Sequence, residues 1–285
     1  MTIHQSADCR LLNGEGVRME LSVIILAKNE ENNIKDCIKS VLPLQAEIIV
    51  LDDGSTDRTC EFAEKLGARI EPVPKGVKGF GEKRCYATGL ASHDVVFHLD
   101  SDERVQEELV HEIEKYIPHM GFNTVFEIPR LTYLFGRPIR HCGWYPDYVR
   151  RIYNRRHTDF TNVLVHESVF IKKDSAIRKF KAPILHFSYP TLESYYKKQA
   201  VYPVLWGREK ARQKKRTSLL SIPFRALFFF IKTYVIRLGF LDGRAGLWLS
   251  FANMSYECSK YLCLYEAQNE NCPEDPDVKG TKKSF

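Results

Sequence analysis

The chain has 285 residues, of which 44% are hydrophobic and 27% are charged. This length suits one large α/β domain with an appendage, and the composition excludes a disordered or fibrous chain. The formal charge is +6, but residues 208–237 carry nine cations and one anion, so the rest of the chain is near −2. A near-neutral body with one basic segment excludes a basic nucleic-acid coat protein, and we expect no nucleic-acid partner.

Cysteine usage and the N-terminus indicate the compartment. Eight scattered cysteines form no Cys-x-x-Cys pair, which favours thiols in a reducing compartment over a disulfide framework. The first 18 residues lack the apolar core of a secretory signal, and we expect them to be a flexible lead. Both observations predict a cytoplasmic protein.

Apolar runs rich in β-branched residues alternate with helical patterns through the first hundred residues. This alternation predicts an α/β fold with a doubly wound, mostly parallel sheet and helices on both faces. Ser55 or Thr56 is expected to cap the second helix. The strands are predicted over 21–26, 47–51, 68–73 and 94–99. The helices are predicted over 34–42, over 80–90 and over 106–116, and the second helix of the chain is predicted to end at Leu66.

The pattern changes after about Gly121. Short strand-like pieces over 122–130, 148–154 and 165–171 predict an antiparallel extension of the sheet, with a long loop at 134–147. Helical patterns begin at Leu192. We therefore expect four regions, namely a lead over 1–18, a catalytic domain over 19–190, a helical basic region over 191–268 and a disordered tail over 269–285.

Two acidic clusters follow predicted parallel strands, where open α/β sheets bind their ligands. Asp100 and Asp102, two residues apart in a turn, could converge on a Mg²⁺ or Mn²⁺ ion that grips a diphosphate. The alternative is that Ser101 or Asp102 caps the helix over 106–116. In the cluster Asp52-Asp53, a carboxylate could accept hydrogen bonds from a nucleobase or ribose, or could serve only the turn and the next helix.

The two clusters and the first strand end together carry a resemblance. Residues 22–30 (SVIILAKNE), 50–57 (VLDDGSTD) and 99–103 (LDSDE) closely resemble inverting family 2 glycosyltransferases of GT-A fold, over roughly the first 190 residues. Residues 79–84, 135–147, 165–167 and 238–243 are similar to the lipopolysaccharide inner-core glucosyltransferase branch of that family. The resemblance implies a Rossmann-like GT-A domain that uses a UDP-sugar and a divalent cation.

The resemblance also implies roles for individual residues. In the nucleotide pocket it places Ala27, Asn29 and Glu30, with Asp53 on the uracil edge and Arg84 enclosing the nucleotide. Asp100 and the adjoining Ser101 are placed on the ribose and diphosphate side. Asp102 is implied as the metal ligand, and His186 could reach the metal or the diphosphate, although a single histidine at a strand end is more often structural.

An inverting transferase needs a base that accepts the proton of the acceptor hydroxyl. Asp147 ends an aromatic loop and is the first candidate, and Glu167, which follows His166, is the second. Many relatives carry an acidic pair on a helix at this stage, and that pair is absent from this sequence. The alternative for Glu167 is a structural ion pair with Arg150 or Arg151.

The basic segment contains an apolar helical stripe. Phe224, Leu227, Phe228, Ile231, Tyr234, Val235 and Leu238 follow helical spacing. The uncharged runs are far shorter than the roughly 20 residues that span a bilayer. With the cations of residues 210–216, this pattern predicts a helix on an anionic membrane surface. The alternative is a helix packed on the catalytic domain with a solvated basic face.

These patterns predict a cytoplasmic enzyme, peripheral on the inner face of the cytoplasmic membrane. It is expected to transfer a hexose, glucose by preference, from UDP to a lipopolysaccharide-core or other lipid-linked acceptor. The alternatives are transfer to a polyprenyl phosphate or another cell-envelope glycan, and a non-catalytic module that binds sugar nucleotides. A nucleotide-binding oxidoreductase is disfavoured, because the glycine-rich loop at 76–81 lacks the Gly-x-Gly-x-x-Gly pattern and does not follow the first strand.

Overall fold

The computed structural model describes residues 19–77, 79–161 and 168–269. The predicted flexible lead over 1–18 lies outside the described residues. So does the predicted tail, apart from Asn269, with which the last helix ends. His166 and Glu167 also lie outside them.

The strands of the described residues form one mixed sheet. They are β1 (Leu21–Ala27), β2 (Glu47–Asp52), β3 (Arg69–Pro72), β4 (Val95–Asp100), β5 (Glu103–Val105), β6 (Thr124–Leu134), β7 (Arg137–Pro138), β8 (Asp147–Asn154), β9 (Ala176–Lys179) and β10 (Ile184–Tyr189). Their order is β3-β2-β1-β4-β8-β6-β10-β5, with β7 and β9 paired to β6. Strands β1 to β4 are parallel to one another, whereas β8 runs antiparallel to β4 and to β6. The predicted parallel sheet with an antiparallel extension is confirmed.

One predicted strand is wrong in its described part. Residues 168–171 were expected to belong to a strand over 165–171, but there Val169 forms an isolated bridge with Phe160. The strand that follows along the chain is β9, which pairs in parallel with β6.

The helices are α1 (Ile34–Val41), α2 (Thr59–Lys65), α3 (Phe80–Leu90), α4 (Glu107–Tyr116), α5 (Leu192–Arg212), α6 (Ser221–Ile231) and α7 (Gly243–Asn269). Of these, α1 and α4 pack on one face of the parallel strands and α3 on the other. Alternate side chains of β1 point to opposite faces. Val23 and Ile25 are buried together with residues of α1 and α4, whereas Ile24 is buried with α3. Each fully buried Val or Ile contributes roughly 1.5–3 kcal/mol, so these two cores hold the strand ends in place.

The predicted cap of the second helix is wrong. Helix α2 begins at Thr59, after Arg58, and neither Ser55 nor Thr56 caps it. Instead the backbone N–H and the hydroxyl of Thr59 donate to Asp57 Oδ1, at 3.0 and 2.5 Å. Ser55 and Thr56 instead contact Asn29 in the loop that follows β1.

The described chain divides into two compact units. The first, here called the catalytic unit, comprises residues 19–130 and 147–186, and the second, the helical unit, comprises 131–146 and 187–269. Residues 134–146 of the predicted loop over 134–147 thus belong to the helical unit, whereas the sequence grouped that loop with the catalytic domain. Among the described helices, none combines the length and the apolarity that crossing a bilayer requires.

Candidate functional site

The carboxyl ends of the parallel strands bring the two acidic clusters to one edge of the sheet. Strand β1 lies between β2 and β4, with Ala27 opposite Asp52 on one side and Leu26 opposite Asp100 on the other. Neighbouring strands lie about 4.8 Å apart, so the clusters are about 10 Å apart along the edge. This edge is where an open α/β sheet places its ligand.

The adjacent carboxylates Asp52 and Asp53 have different roles in the structure. Asp52 accepts hydrogen bonds from the backbone N–H groups of Gly54 and Ser55, both at 3.1 Å, and so builds the turn. Asp53 contacts the ammonium groups of Lys83 at 2.9 Å and Lys28 at 3.3 Å. The hydrogen bond from Lys83, followed by that from Lys28, lowers the pKa of Asp53 below its usual value. Asp53 is therefore the ionised acceptor at this edge.

The loop that follows β1 is bound to the loop that follows β2. Asn29, which has a left-handed φ of 53°, donates its backbone N–H to Ser55 Oγ and accepts the N–H of Thr56 at its Oδ1. The backbone N–H of Glu30 donates to Thr59 Oγ1 at 2.7 Å. The carbonyl of the buried Ala27 accepts the N–H of Asp53. The three residues that the resemblance assigns to the nucleotide pocket thus hold the loop that carries Asp53.

Asp100 lies between two guanidinium groups. Arg84 donates to its Oδ1 and Arg151 to its Oδ2, both at 2.6 Å. Burial alone would raise the pKa of Asp100, but the charges and hydrogen bonds of Arg151 and Arg84 outweigh burial and hold that pKa well below its usual value. Asp100 is thus an anion held in a fixed orientation.

The turn after β4 is closed by Glu103, which has no exposed surface. Glu103 Oε2 accepts the backbone N–H of Asp100 at 3.0 Å, and Arg151 donates to Glu103 Oε1 at 2.7 Å. Helix α4 begins after Gln106 with no side-chain cap, so the capping alternative for Ser101 and Asp102 does not hold. Glu103 and not Asp102 is the acid that shapes this turn.

Asp102 lies next to His186, the other residue expected near the metal. The Nε2 atom of His186 is 3.4 Å from Asp102 Oδ2. Strands β10 and β5 pair with His186 opposite Glu103, which carries the imidazole to the acidic turn. Within the described residues no set of three or more His, Cys, Asp or Glu side chains has the geometry of a metal site. Asp102 and His186 thus bring one carboxylate and one imidazole together at this turn.

Of the two candidate bases, the structure describes Asp147. It begins β8, and its Oδ2 accepts a hydrogen bond from Arg130 Nη2 at 2.6 Å. Arg130 also lies 3.8 Å from Glu103 Oε1, so ion pairs run continuously from Asp100 to Asp147. Glu167 lies outside the described residues. Of its two suggested partners, Arg150 pairs with Glu127, and Arg151 pairs with Asp100 and Glu103.

A pocket of about 390 Å³ adjoins Asp100. We call it the arginine pocket, because Arg84, Arg130, Arg150 and Arg151 all line it. Asp100 and Glu127 supply its carboxylates, and Tyr148 and Phe160 supply aromatic surface. All of its lining residues belong to the catalytic unit.

Sequence reasoning missed the basic partners of the acids. Lys83, Arg130 and Arg151 were not assigned to the site, and Glu103 was grouped with the acidic cluster without a role of its own. A signal was available, because adjacent arginines within the strand-like run at 148–154 place at least one guanidinium group toward a buried face. A buried arginine requires an acidic partner.

Comparisons with known proteins show the family of the chain. The family model described as "Glycosyl transferase family 2" matches residues 22–176. An uncharacterized glycosyltransferase of Rickettsia bellii is 27% identical over 236 residues, covering 80% of each chain. The lipopolysaccharide core biosynthesis glycosyltransferase LpsC of Rhizobium meliloti is 24% identical over 241 residues, covering 81% of this chain and 83% of LpsC.

Two solved structures are also similar to this chain. Glucosyl-3-phosphoglycerate synthase of Mycobacterium tuberculosis, in complex with Mn²⁺, UDP and glucosyl-3-phosphoglycerate, is 31% identical over 40% of this chain and 44% of its own, with a TM-score of 0.33. S. aureus TarS 1–349 in complex with UDP is 16% identical over 87% of this chain and 91% of its own, with a TM-score of 0.45.

Proposed function

The chain belongs to glycosyltransferase family 2, and from this premise we propose that it is a metal-dependent, inverting enzyme. It transfers a hexose, glucose by preference, from a UDP-sugar to a lipopolysaccharide-core or other lipid-linked acceptor. The observation that carries the proposal is the arrangement of Asp53, Asp100 and Asp102 along one carboxyl edge of the parallel sheet. The named core glycosyltransferase among its relatives supports the acceptor class.

The nucleotide binds over the loops that follow β1 and β2. Asp53 accepts hydrogen bonds from the uracil edge, and its ionised state, maintained by Lys83 and Lys28, suits an acceptor role. Asp100 is fixed by Arg84 and Arg151 toward the ribose and the diphosphate. Removing either arginine would leave a charge without its partner and disturb this orientation.

Asp102 and His186 suit a divalent cation that keeps part of its coordination shell for water and substrate. Mg²⁺ retains several waters in proteins and is held by one or two carboxylates together with substrate phosphates. Asp102 and His186, 3.4 Å apart, would hold such a cation, the diphosphate completing the ligand set. When bound, the cation neutralises charge on the departing UDP, so no separate acid is required.

The acceptor hydroxyl loses its proton to Asp147 or to Glu167. Asp147 is the first choice because it lies one strand away from β4 at the same edge of the sheet and is half-exposed. Arg130, at 2.6 Å, holds its carboxylate in place. Its carboxylate then accepts the proton as the hydroxyl attacks the anomeric carbon from the face opposite UDP.

The helical unit supplies a membrane-binding surface. Helix α6 packs on α7, with the Phe230 ring 4.7 Å from the Phe251 ring between centroids. It buries Ile222 and Ala226, while Phe224, Leu227, Phe228 and Ile231 are exposed. Exposed apolar side chains that lie side by side mark an interaction site. The exposed cations Arg212, Lys214, Lys215 and Arg216 precede it, and cations suit an anionic lipid headgroup. The protein would then reside on the inner face of the cytoplasmic membrane, where a lipid-linked acceptor is accessible.

A panel of nucleotide sugars tests the proposal. UDP-glucose with Mn²⁺ should raise the melting temperature, whereas GDP-mannose with Mn²⁺ and UDP-glucose with EDTA should not. The enzyme should also hydrolyse UDP-glucose slowly in the absence of acceptor, and a non-catalytic binding module should not. Stabilisation by UDP-glucose that is independent of metal would remove the cation from the proposal, and no response to any UDP-sugar would overturn it.

A further inference from the structure

The arginine pocket contains Arg150, to which the proposed reaction assigns no role, beside three arginines that position Asp100 and Asp147. Arg130, Arg150 and Arg151 lie on β6 and β8, beyond β4 when counted from the nucleotide side of the sheet. We propose that this pocket binds an anionic group, a phosphate monoester or a carboxylate, on one of the two sugars that the enzyme joins. The inference rests on the proposed function, since it names the chemical class of that reaction's substrate.

The order of the strands separates the pocket from the end of the site that binds the uracil. Asp53 follows β2, and β8 lies three strand spacings away, across β1 and β4. At about 4.8 Å per spacing, this distance is about 14 Å. The turn that carries Asp102 follows β4, between these two positions. A nucleotide that begins at Asp53 and passes Asp102 with its diphosphate therefore presents its sugar toward β8.

The lining of the pocket carries more positive than negative charge. The lining holds four arginines with the carboxylates of Asp100 and Glu127. With Lys179 included, and with Glu103 and Asp147, which pair with Arg151 and Arg130, the group has five cations and four anions. Lys179 lies just beside the lining, with its Nζ 3.8 Å from Glu127 and 4.2 Å from the centroid of the Tyr148 ring. A neutral hexose requires no such excess, whereas guanidinium groups match the geometry of carboxylate and phosphate oxygens.

The guanidinium groups of the pocket share their carboxylate partners. Asp100 is shared between Arg84 and Arg151, and Glu103 between Arg151 and Arg130, so single carboxylates serve two arginines. Arg150 and Arg130, with 32% and 25% of their side chains exposed, are the arginines that a ligand in the pocket can reach. The volume of about 390 Å³ accommodates one sugar with its anionic substituent.

The test uses the full chain with Mn²⁺ and compares charged with neutral probes. The donor arm measures the affinities of UDP-glucuronate and UDP-glucose by calorimetry. The acceptor arm measures the affinities of glucose 6-phosphate and glucose by saturation-transfer NMR with UDP bound. We expect the charged probe to bind at least about 10-fold more tightly in one arm, as a charge-assisted hydrogen bond predicts, and that arm identifies the sugar that carries the anion.

The variant is Arg150→Gln, chosen because Arg150 pairs with Glu127 and not with Asp147. It should abolish the preference for the charged probe and leave UDP affinity unchanged. Arg156→Gln is the matched control, since Arg156 is exposed and pairs with Asp94 outside the pocket, and it should retain the preference. UDP binding also reports that each variant is folded, and Arg150→Lys, which keeps the charge, should retain part of the preference.

Equal binding of charged and neutral probes in both arms would overturn the inference. A loss of UDP affinity in Arg150→Gln, with Arg150→Lys intact, would also overturn it, because the pocket would then hold the diphosphate. If wild-type protein binds no UDP, the proposed function fails. A preference for glucose 6-phosphate over glucose, measured by the same NMR experiment without UDP, would still support the pocket in that case.

Discussion

The two units use the same residue types in opposite ways. In the catalytic unit, arginines are buried against carboxylates, as Arg151 is between Asp100 and Glu103, and apolar side chains such as Ile24 are fully enclosed. In the helical unit, Lys214, Lys215 and Arg216 are exposed, and Phe224 is 74% exposed. The first arrangement fixes the orientation of a few charged groups, and the second leaves charge and apolar surface available to a partner.

This difference shows why formal charge alone says little about function. A guanidinium group held between two carboxylates, as Arg151 is between Asp100 and the buried Glu103, fixes the orientation of both. An exposed lysine next to apolar surface is free to meet an anionic lipid. Variants in one unit should therefore change chemistry, and variants in the other should change location.

The largest effect is expected from Asp102→Asn in the catalytic unit. An amide is a poorer ligand for a hard cation and leaves the diphosphate charge uncompensated, so turnover should fall on the order of 10³-fold. The measurement is Mn²⁺-dependent transfer, with the melting temperature as evidence that the fold is intact. Asp174→Asn, which removes an exposed carboxylate of the same unit, should have wild-type activity. Full activity of Asp102→Asn at limiting metal would remove the metal assignment.

Replacing Asp147 by Asn should have the next largest effect. Loss of a general base lowers turnover on acceptor by on the order of 10²-fold or more, while UDP-sugar affinity barely changes. A purely structural role through the ion pair with Arg130 predicts that Arg130→Gln has the same effect on turnover. If Glu167→Gln shows the signature of a lost base and Asp147→Asn does not, the two assignments should be exchanged.

Charge reversal in the helical unit should change membrane binding and not chemistry. Replacing Lys214, Lys215 and Arg216 by Glu removes cations that contribute roughly 1 kcal/mol each near an anionic surface, an attraction that salt screens. Affinity for vesicles that contain phosphatidylglycerol should therefore fall by on the order of 10²-fold or more, with activity on a soluble acceptor fragment preserved. The matched control reverses the exposed Lys172, Lys173 and Arg178 of the catalytic unit and should keep vesicle binding.

The apolar part of the same surface gives a second measurement. Phe224→Ser together with Phe228→Ser should remove the vesicle binding that persists at high salt, because that fraction depends on apolar insertion. Phe170→Ser, at an exposed phenylalanine of the catalytic unit, serves as the control. If the parent protein does not bind anionic vesicles, the basic segment is a solvated face.

The smallest effect concerns the pH dependence of stability. The pKa of Asp100 is held well below its usual value in the folded state, whereas in the unfolded chain it is about 3.9. Its contribution to stability is therefore complete above about pH 4 and is lost as the pH falls toward the folded value. Asp100→Asn should be about 2 kcal/mol less stable at pH 7, and urea unfolding should show this difference shrink below pH 4. A constant difference across that range would contradict the role assigned to Asp100.

Local patterns in the sequence determined the four parallel strands and the edge of the sheet at which the acids meet. Runs such as 21–26 bury both faces of a strand whatever follows them, and the carboxyl ends of alternating β and α elements must share one edge. Asp53, Asp100 and Asp102 could therefore be brought together from the sequence alone. The family motifs, being local as well, were read from the same residues.

Only the tertiary structure decided which charged groups meet. Arg151 pairs with Asp100, which lies 51 residues earlier in the sequence. Lys83 on α3 pairs with Asp53, which follows β2. No pattern with a period of two or of 3.6 residues encodes such partners, because they depend on how the elements pack. The same holds for Asp52, which the structure assigns to a turn, and for the stripe on α6, whose exposure depends on which face α7 covers. Periodicity determines that a face is apolar, and packing decides whether that face is buried.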